Sequence, residues 1–202
     1  MITSNQKYKP LNVMGQKLPL KIEQVWSIRV RLELAKSIRD LALFNLAIDS
    51  MLRSCDLVRL SVSDISHGDG IQSRAQIIQK KTKTPVQFEI TMKTKTTLNN
   101  LIDIQHLGFN DFLFQSRCKK SEHLSTRQYA RIVDSWVSSI GLDKAAYGTH
   151  SMRRTKASII YRETKNLRAI QILLGHSKID STIRYLGVEV DDALDLAERI
   201  QV

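Results

Sequence analysis

The sequence predicts a mainly α fold with a small antiparallel β-sheet, an α+β protein built around one domain, and three observations predict it. Apolar residues recur at helical spacing in most of the chain after Ile22, most clearly at Tyr129, Ile132, Val133, Trp136, Val137 and Ile140. Residues 57–91 alone change character: "RAQIIQ" and "PVQFEI" are short β-branched and apolar runs separated by the basic "KKTKT". The third is size, since 202 residues that are 42% hydrophobic and 25% charged suffice for one substantial core and not for two.

Each element follows in order. Residues 1–20 are polar, contain Pro10 and Pro19 and lack periodicity, which predicts a flexible arm. Two helices fit between Ile22 and Arg53, broken by the charged stretch Lys36 to Asp40. The second holds the apolar run Leu41 to Ile48, is expected to be central, and is expected to end at Arg53. A hairpin follows within 57–91, then a helix from Met92 to about Gln105, and a buried extended piece at Phe112 to Phe114 before the basic loop "SRCKK". Ser125 with Gln128 forms a capping pattern for the next helix. Beyond Gly141 a helix is expected from about Ser151 to Tyr161, then a short one marked by Leu167, Ile170, Leu173 and Leu174 and stopped by Gly175. Gly187 breaks the chain again. Val190, Ala193, Leu194, Ala197 and Ile200 stripe a terminal helix whose other side carries Asp191, Asp192, Asp195 and Glu198.

The charge is the unusual quantity. A net +11, with a sequence pI near 9.8, calls for a polyanionic partner. No stretch reaches the roughly 18 apolar residues of a membrane span, and the first twenty residues lack a secretory h-region, so the chain is expected in the cytoplasm. Cys55 and Cys118 are far apart and form no C-x-x-C, which predicts reduced thiols rather than a disulfide framework or zinc site.

Three motifs carry chemistry. In "GTHSMRRTKASIIYR", His150 and Arg153 share one face near a helix N-terminus, where backbone N–H groups already favour an anion. In "LLGHSKIDSTIRYLG", His176 follows a helix stop and Tyr185 lies nine residues on; a tyrosine is a covalent nucleophile when its proton has somewhere to go. In "SMLRSCDLVRLSVSDI", Asp56 follows Arg53 by three. Singly, each has an ordinary explanation: a solvated basic face, a packed tyrosine, a local ion pair. A metal site has no support, because there is no H-E-x-x-H and Asp180 beside His176 has no further local ligand.

Taken in order, Arg-x-x-Asp-Leu, a lysine-bearing hairpin, His-x-x-Arg, Leu-Gly-His and then Tyr resemble the catalytic domain of tyrosine recombinases, the phage-integrase family, over about residues 22–190. The resemblance implies a tyrosine-recombinase catalytic domain at 21–187, with 188–202 as a C-terminal helix that docks on a neighbouring protomer or folds back on its own domain. It also implies site-specific DNA strand exchange through a 3′-phosphotyrosyl intermediate, without metal, ATP or other cofactor. By the same resemblance Arg53 and Arg153 clamp the scissile phosphate, His150 assists proton transfer, His176 supports the phosphate through a hydrogen bond, and Tyr185 attacks. Lys81 protonates the leaving oxygen, with Lys83 as the alternative and Lys80 crowding the same turn; Asp56 steadies Arg53. The implied partners are double-stranded DNA, further copies of the chain (dimer to tetramer on DNA) and accessory DNA-bending proteins, with the chain nucleoid-associated when bound. Family members carry a helical DNA-binding domain ahead of the catalytic one, where residues 1–20 are either its remnant or all that precedes a catalytic-domain-only protein. The competing readings are a non-catalytic DNA-binding regulator on the same scaffold and a relaxing enzyme resembling type IB topoisomerases.

Overall fold

The computed structural model describes residues 16–68, 70–116 and 121–187, together with Glu198. The terminal helix expected at 188–202, the first fifteen residues of the arm expected at 1–20, and Cys118 therefore lie outside the described residues, Glu198 excepted.

The mainly helical fold with small antiparallel sheets is as the sequence predicts. Helix α1 (Ile22–Leu34) and helix α2 (Ile38–Ser50) are separated at Lys36, whose φ of 51° the helix cannot continue. From Ala42 to Ser50 every residue of α2 is buried, and α1, α5 (Met92–Gln105) and α7 (Thr149–Thr164) pack around it. This explains why α2 lacks a polar face: it is surrounded, so hydrophobic residues fit all round. Two polar side chains inside it are answered individually. Asn45 accepts from Arg29 Nε at 2.7 Å, and the Asp49 carboxylate accepts from Thr91 N at 3.0 Å and Thr91 Oγ1 at 2.7 Å at the start of α5.

The expected end of that helix at Arg53 is corrected. Helix α2 stops at Ser50 because Met51 turns into the left-handed region, and Arg53, extended at φ −68° and ψ 150°, instead opens the short helix α3 (Ser54–Leu57). A further short helix, α4 (Val62–Ile65), and a two-residue ladder, β1 (Ser66–His67) with β2 (Gly70–Ile71), precede the hairpin; both escape the sequence reading because they are too short for periodicity to register. The hairpin itself is β3 (Arg74–Ile78) against β4 (Pro85–Glu89), in register from Arg74 opposite Glu89 to Ile78 opposite Pro85. Ala75, Val86 and Phe88 face the core, so its basic tip projects outward.

The "FLF" piece is a buried extended stitch: Leu113 N donates to Leu60 O and Leu124 N to Phe114 O. Helix α6 (Thr126–Ser139) starts where Ser125 Oγ accepts from Gln128 N at 3.1 Å, and it buries the Tyr129–Val137 stripe, with Trp136 edge-on to Phe44 at 5.3 Å. Helix α7 is longer at both ends than periodicity indicated. Helix α8 (Leu167–Leu174) stops at Gly175 as expected, and helix α9 (Ile179–Leu186), which the sequence reading left unassigned, stops at Gly187. Residues 16–20 lie along α7 and the loop before it, where Leu18 N donates to Ala146 O and Leu20 N to Thr155 Oγ1, each at 2.9 Å.

Candidate active site

The site forms where four segments distant in sequence meet: the α2–α3 junction, the hairpin tip, the first half of α7, and the α8–α9 pair. Arg153 is its centre. On α7, it is only 4% exposed; its guanidinium donates from Nη1 to Met51 O at 2.5 Å and from Nη2 to Leu174 O at 2.8 Å. It thus ties the end of α2 to the end of α8. Both carbonyls are free because they lie at helix C-termini, where the last carbonyls have no intrahelical donor.

Arg53 is half-buried and reaches the hairpin tip, where Nη1 donates to Gln79 Oε1. Asp56 does not meet it through a hydrogen bond among the described residues. Its Oδ1 accepts from Lys80 N at 2.8 Å, so this carboxylate anchors the lysine turn. Lys81 and Lys83 are exposed on that turn. Lys83 has φ of 56° and its N–H returns to Gln79 O. Lys81 is among the cations whose field holds the His150 imidazole below its usual range, after its partial desolvation, Arg153, Arg154 and Arg53 in that order. His150 and Arg153 share one face of α7, as their spacing predicts, with His150 outermost and exposed.

His176 and Tyr185 come together across the α8–α9 turn. Their rings meet edge to face at 5.4 Å, and His176 Nδ1 lies 3.1 Å from Thr182 Oγ1. Burial first, then Arg153 and Arg53, push the His176 imidazole down to about 4, so it is neutral at physiological pH. The Tyr185 hydroxyl oxygen is buried, with no hydrogen-bond partner among the described residues. Burial drives the phenol up to about 12, while Arg153, Arg154 and Arg53 oppose that shift by favouring phenolate. The guanidinium carbons of Arg153 and Arg154 lie 5.9 Å and 5.3 Å from the centre of its ring.

Five groups here have no site role in the sequence reading. Gln79, fully buried, links Arg53 to the hairpin. Arg154 stacks on Tyr185 and donates to Gln16 Oε1 at 2.8 Å, and Gln16 in turn donates to Arg184 O. Thr182 meets His176, and Leu174 O accepts from Arg153. Gly175, at φ of 64°, has no room for a side chain: a Cβ would sit 2.4 Å from Val86 Cγ2 and 3.2 Å from the Gln79 amide. Of these, Gly175 is legible in the sequence as a helix stop and Leu174 as part of an apolar stripe, neither as part of a site.

The electrostatic result is concentrated. Among the described residues, the salt bridges join Arg39 to Asp40, Lys93 to Glu33, and Lys156 to Asp49 and Glu89, leaving Arg53, Arg153 and Arg154 without a carboxylate within ion-pair distance. Partly desolvated cations held by neutral acceptors keep their full charge for an external anion. A tetrahedral anion fits that chemistry, with a phenol beside it. No three His, Cys, Asp or Glu side chains converge as a metal-ligand set among the described residues, and no described helix is long and apolar enough to cross a membrane.

Comparison with known proteins gives the same direction. The model of the phage integrase family matches residues 20–191. The chain is 28% identical over 170 residues to a probable integrase/recombinase, YoeC, of Bacillus subtilis, covering 84% of this chain and 88% of that protein. It is 28% identical over 156 residues to the tyrosine recombinase XerC of Neisseria gonorrhoeae, covering 77% of this chain but 49% of that one, so it spans about half the length of such relatives. In structure it matches the XerH site-specific recombinase bound to its difH substrate in a pre-cleavage complex, with a TM-score of 0.68 at 21% identity over 96% of this chain and 58% of that one.

Proposed function

The chain belongs to the phage integrase family, and from that premise we propose that it is a site-specific DNA recombinase that cleaves and rejoins strands through a covalent phosphotyrosyl intermediate. One observation supports the reading: Arg53, Arg153 and the buried Tyr185 hydroxyl, unpartnered among the described residues, converge on one spot, and no described carboxylate lies within ion-pair distance of either guanidinium. The net charge of +11 supports DNA as the anion.

In the proposed reaction the two guanidinium groups clamp the non-bridging oxygens of the scissile phosphate, for which their planar donors suit. The Tyr185 oxygen attacks phosphorus as the P–O5′ bond breaks, giving a 3′-phosphotyrosyl ester and a 5′-oxygen leaving group. The phenol proton passes to neutral His150 or through it to water, and Lys81 donates a proton to the 5′-oxygen. His176, held by Thr182, donates its other ring N–H toward the phosphate. A 5′-hydroxyl from a second strand reverses each transfer, so one phosphate ester replaces another and no nucleotide is consumed. The high intrinsic pKa of the buried phenol has a use here: Tyr185 stays protonated until a phosphate is in place. Strand exchange between two duplexes calls for two to four copies of the chain in all on the DNA.

The test is a nicked suicide duplex carrying a site that this chain selects from a random-sequence pool. A covalent protein–DNA band on a denaturing gel, formed without metal or ATP and lost in Tyr185→Phe, is the expected result. Salt-sensitive binding without any covalent band would favour a DNA-binding regulator on this scaffold.

A further inference from the structure

We propose that Gln79 is a positioning residue that aims Arg53 at the phosphate without neutralising it, and that locks this arginine to the lysine turn and to Arg153. The inference rests on the phosphate-binding role proposed for Arg53. Gln79 is fully buried at the end of β3. Its side chain reaches three separate parts of the site. Oε1 accepts from Arg53 Nη1, and also from Thr82 Oγ1 at 2.8 Å within the lysine turn. Nε2 donates to Leu174 O at 3.3 Å, the carbonyl that also holds Arg153. Its backbone closes the same turn, N–H to Thr84 O at 3.0 Å and C=O from Lys83 N at 2.9 Å.

The orientation of the amide follows from chemistry. A guanidinium only donates and a backbone carbonyl only accepts, so Oε1 faces Arg53 and Nε2 faces Leu174. A buried amide with these partners has a single satisfied arrangement, and the arginine it holds inherits that geometry. The choice of amide over carboxylate matters equally. A glutamate here would hold Arg53 as firmly but cancel the charge that a phosphate needs, whereas a neutral acceptor leaves it intact. Gly175 completes the arrangement, because any Cβ there would press on the Gln79 amide at 3.2 Å.

The experiment compares wild type with Gln79→Leu on three versions of the selected nicked duplex, after melting curves establish that the variant is folded. On ordinary phosphodiester DNA the variant should form covalent adduct more slowly by about tenfold to a hundredfold, in line with loss of one oriented charge-stabilising contact. On a methylphosphonate at the scissile position, which lacks one non-bridging charge and so depends less on Arg53, the deficit should shrink to about threefold or less. On a 5′-bridging phosphorothiolate, whose leaving group needs no protonation, the full deficit should persist. A deficit relieved by the phosphorothiolate alone would place the effect in the lysine turn and overturn the proposal; an equal deficit on all three substrates would mark Gln79 as a packing residue and overturn it too. If wild type itself forms no adduct, the recombinase reading fails separately, and the inference is still decided by nitrogen-15 spectra of the arginine side chains. Slow rotation of the Arg53 Nη groups in wild type, lost in Gln79→Leu, supports it; equal mobility in both refutes it.

Discussion

Arg153 and Gln79 donate to the same oxygen, the carbonyl of Leu174, at 2.8 Å and 3.3 Å. Through that shared acceptor the end of α8 becomes the reference point for both arginines, since Gln79 also holds Arg53. The α8 C-terminus thus sets where both guanidinium groups sit.

Gly175→Ala should be damaging twice over. Its φ of 64° strains an L residue, and the new methyl would meet Val86 Cγ2 at 2.4 Å. Unfolding by urea should report a loss of about 1–3 kcal/mol. Adduct formation should fall further than stability does, because Leu174 O moves with the turn.

Arg153→Lys keeps the charge but cannot span Met51 O and Leu174 O from one rigid fork. Single-turnover cleavage should drop about a hundredfold or more, while DNA affinity in a filter-binding titration changes far less. Equal losses in both would mean that Arg153 acts in ground-state binding only.

Stability should fall on acidification. The His176 imidazole titrates near 4 in the fold against an ordinary 6.5, and His150 is shifted in the same direction. The unfolded chain therefore binds more protons between those values, so full stability holds above pH 6.5 and is lost as pH falls toward 4. His176→Gln should flatten that part of a urea-midpoint profile. An unchanged profile would show that other groups govern acid unfolding.

Asp49→Ala should cost about 3 kcal/mol, since it removes the acceptor for Thr91 N, Thr91 Oγ1 and Thr94 Oγ1 and leaves Lys156 half-buried beside Glu89 alone. Thermal or urea unfolding measures this. A cost near zero would mean that water replaces the carboxylate.

DNA binding should be weak and steep in salt, because the proposed contacts are to phosphates from one face. Each of Lys80→Gln and Lys81→Gln should reduce the slope of log K against log salt by about one where the lysine touches a phosphate. Filter binding at several salt concentrations measures it.

The sequence by itself determined the fold class, most helices and the hairpin, and it singled out Arg53, His150, Arg153, His176 and Tyr185 as candidates for one site. These are local or ordered properties: helical stripes such as Tyr129 to Val137, the two short runs around the basic tip, and motifs met in a fixed order. Helix α9 is not legible because eight residues give barely two turns in which a helical stripe can repeat, and the end of α2 is not legible because nothing local marks Met51 as left-handed. Only the tertiary structure decided how the groups meet. Asp56 binds the Lys80 N–H, Gln79 holds Arg53, and Arg154 lies over Tyr185, each through contacts between segments far apart in the chain. Periodicity records which face of an element is apolar, but a buried amide or an arginine finds its partner only when separate helix ends and a hairpin tip are packed together, since burial is what penalises a polar atom left unmatched.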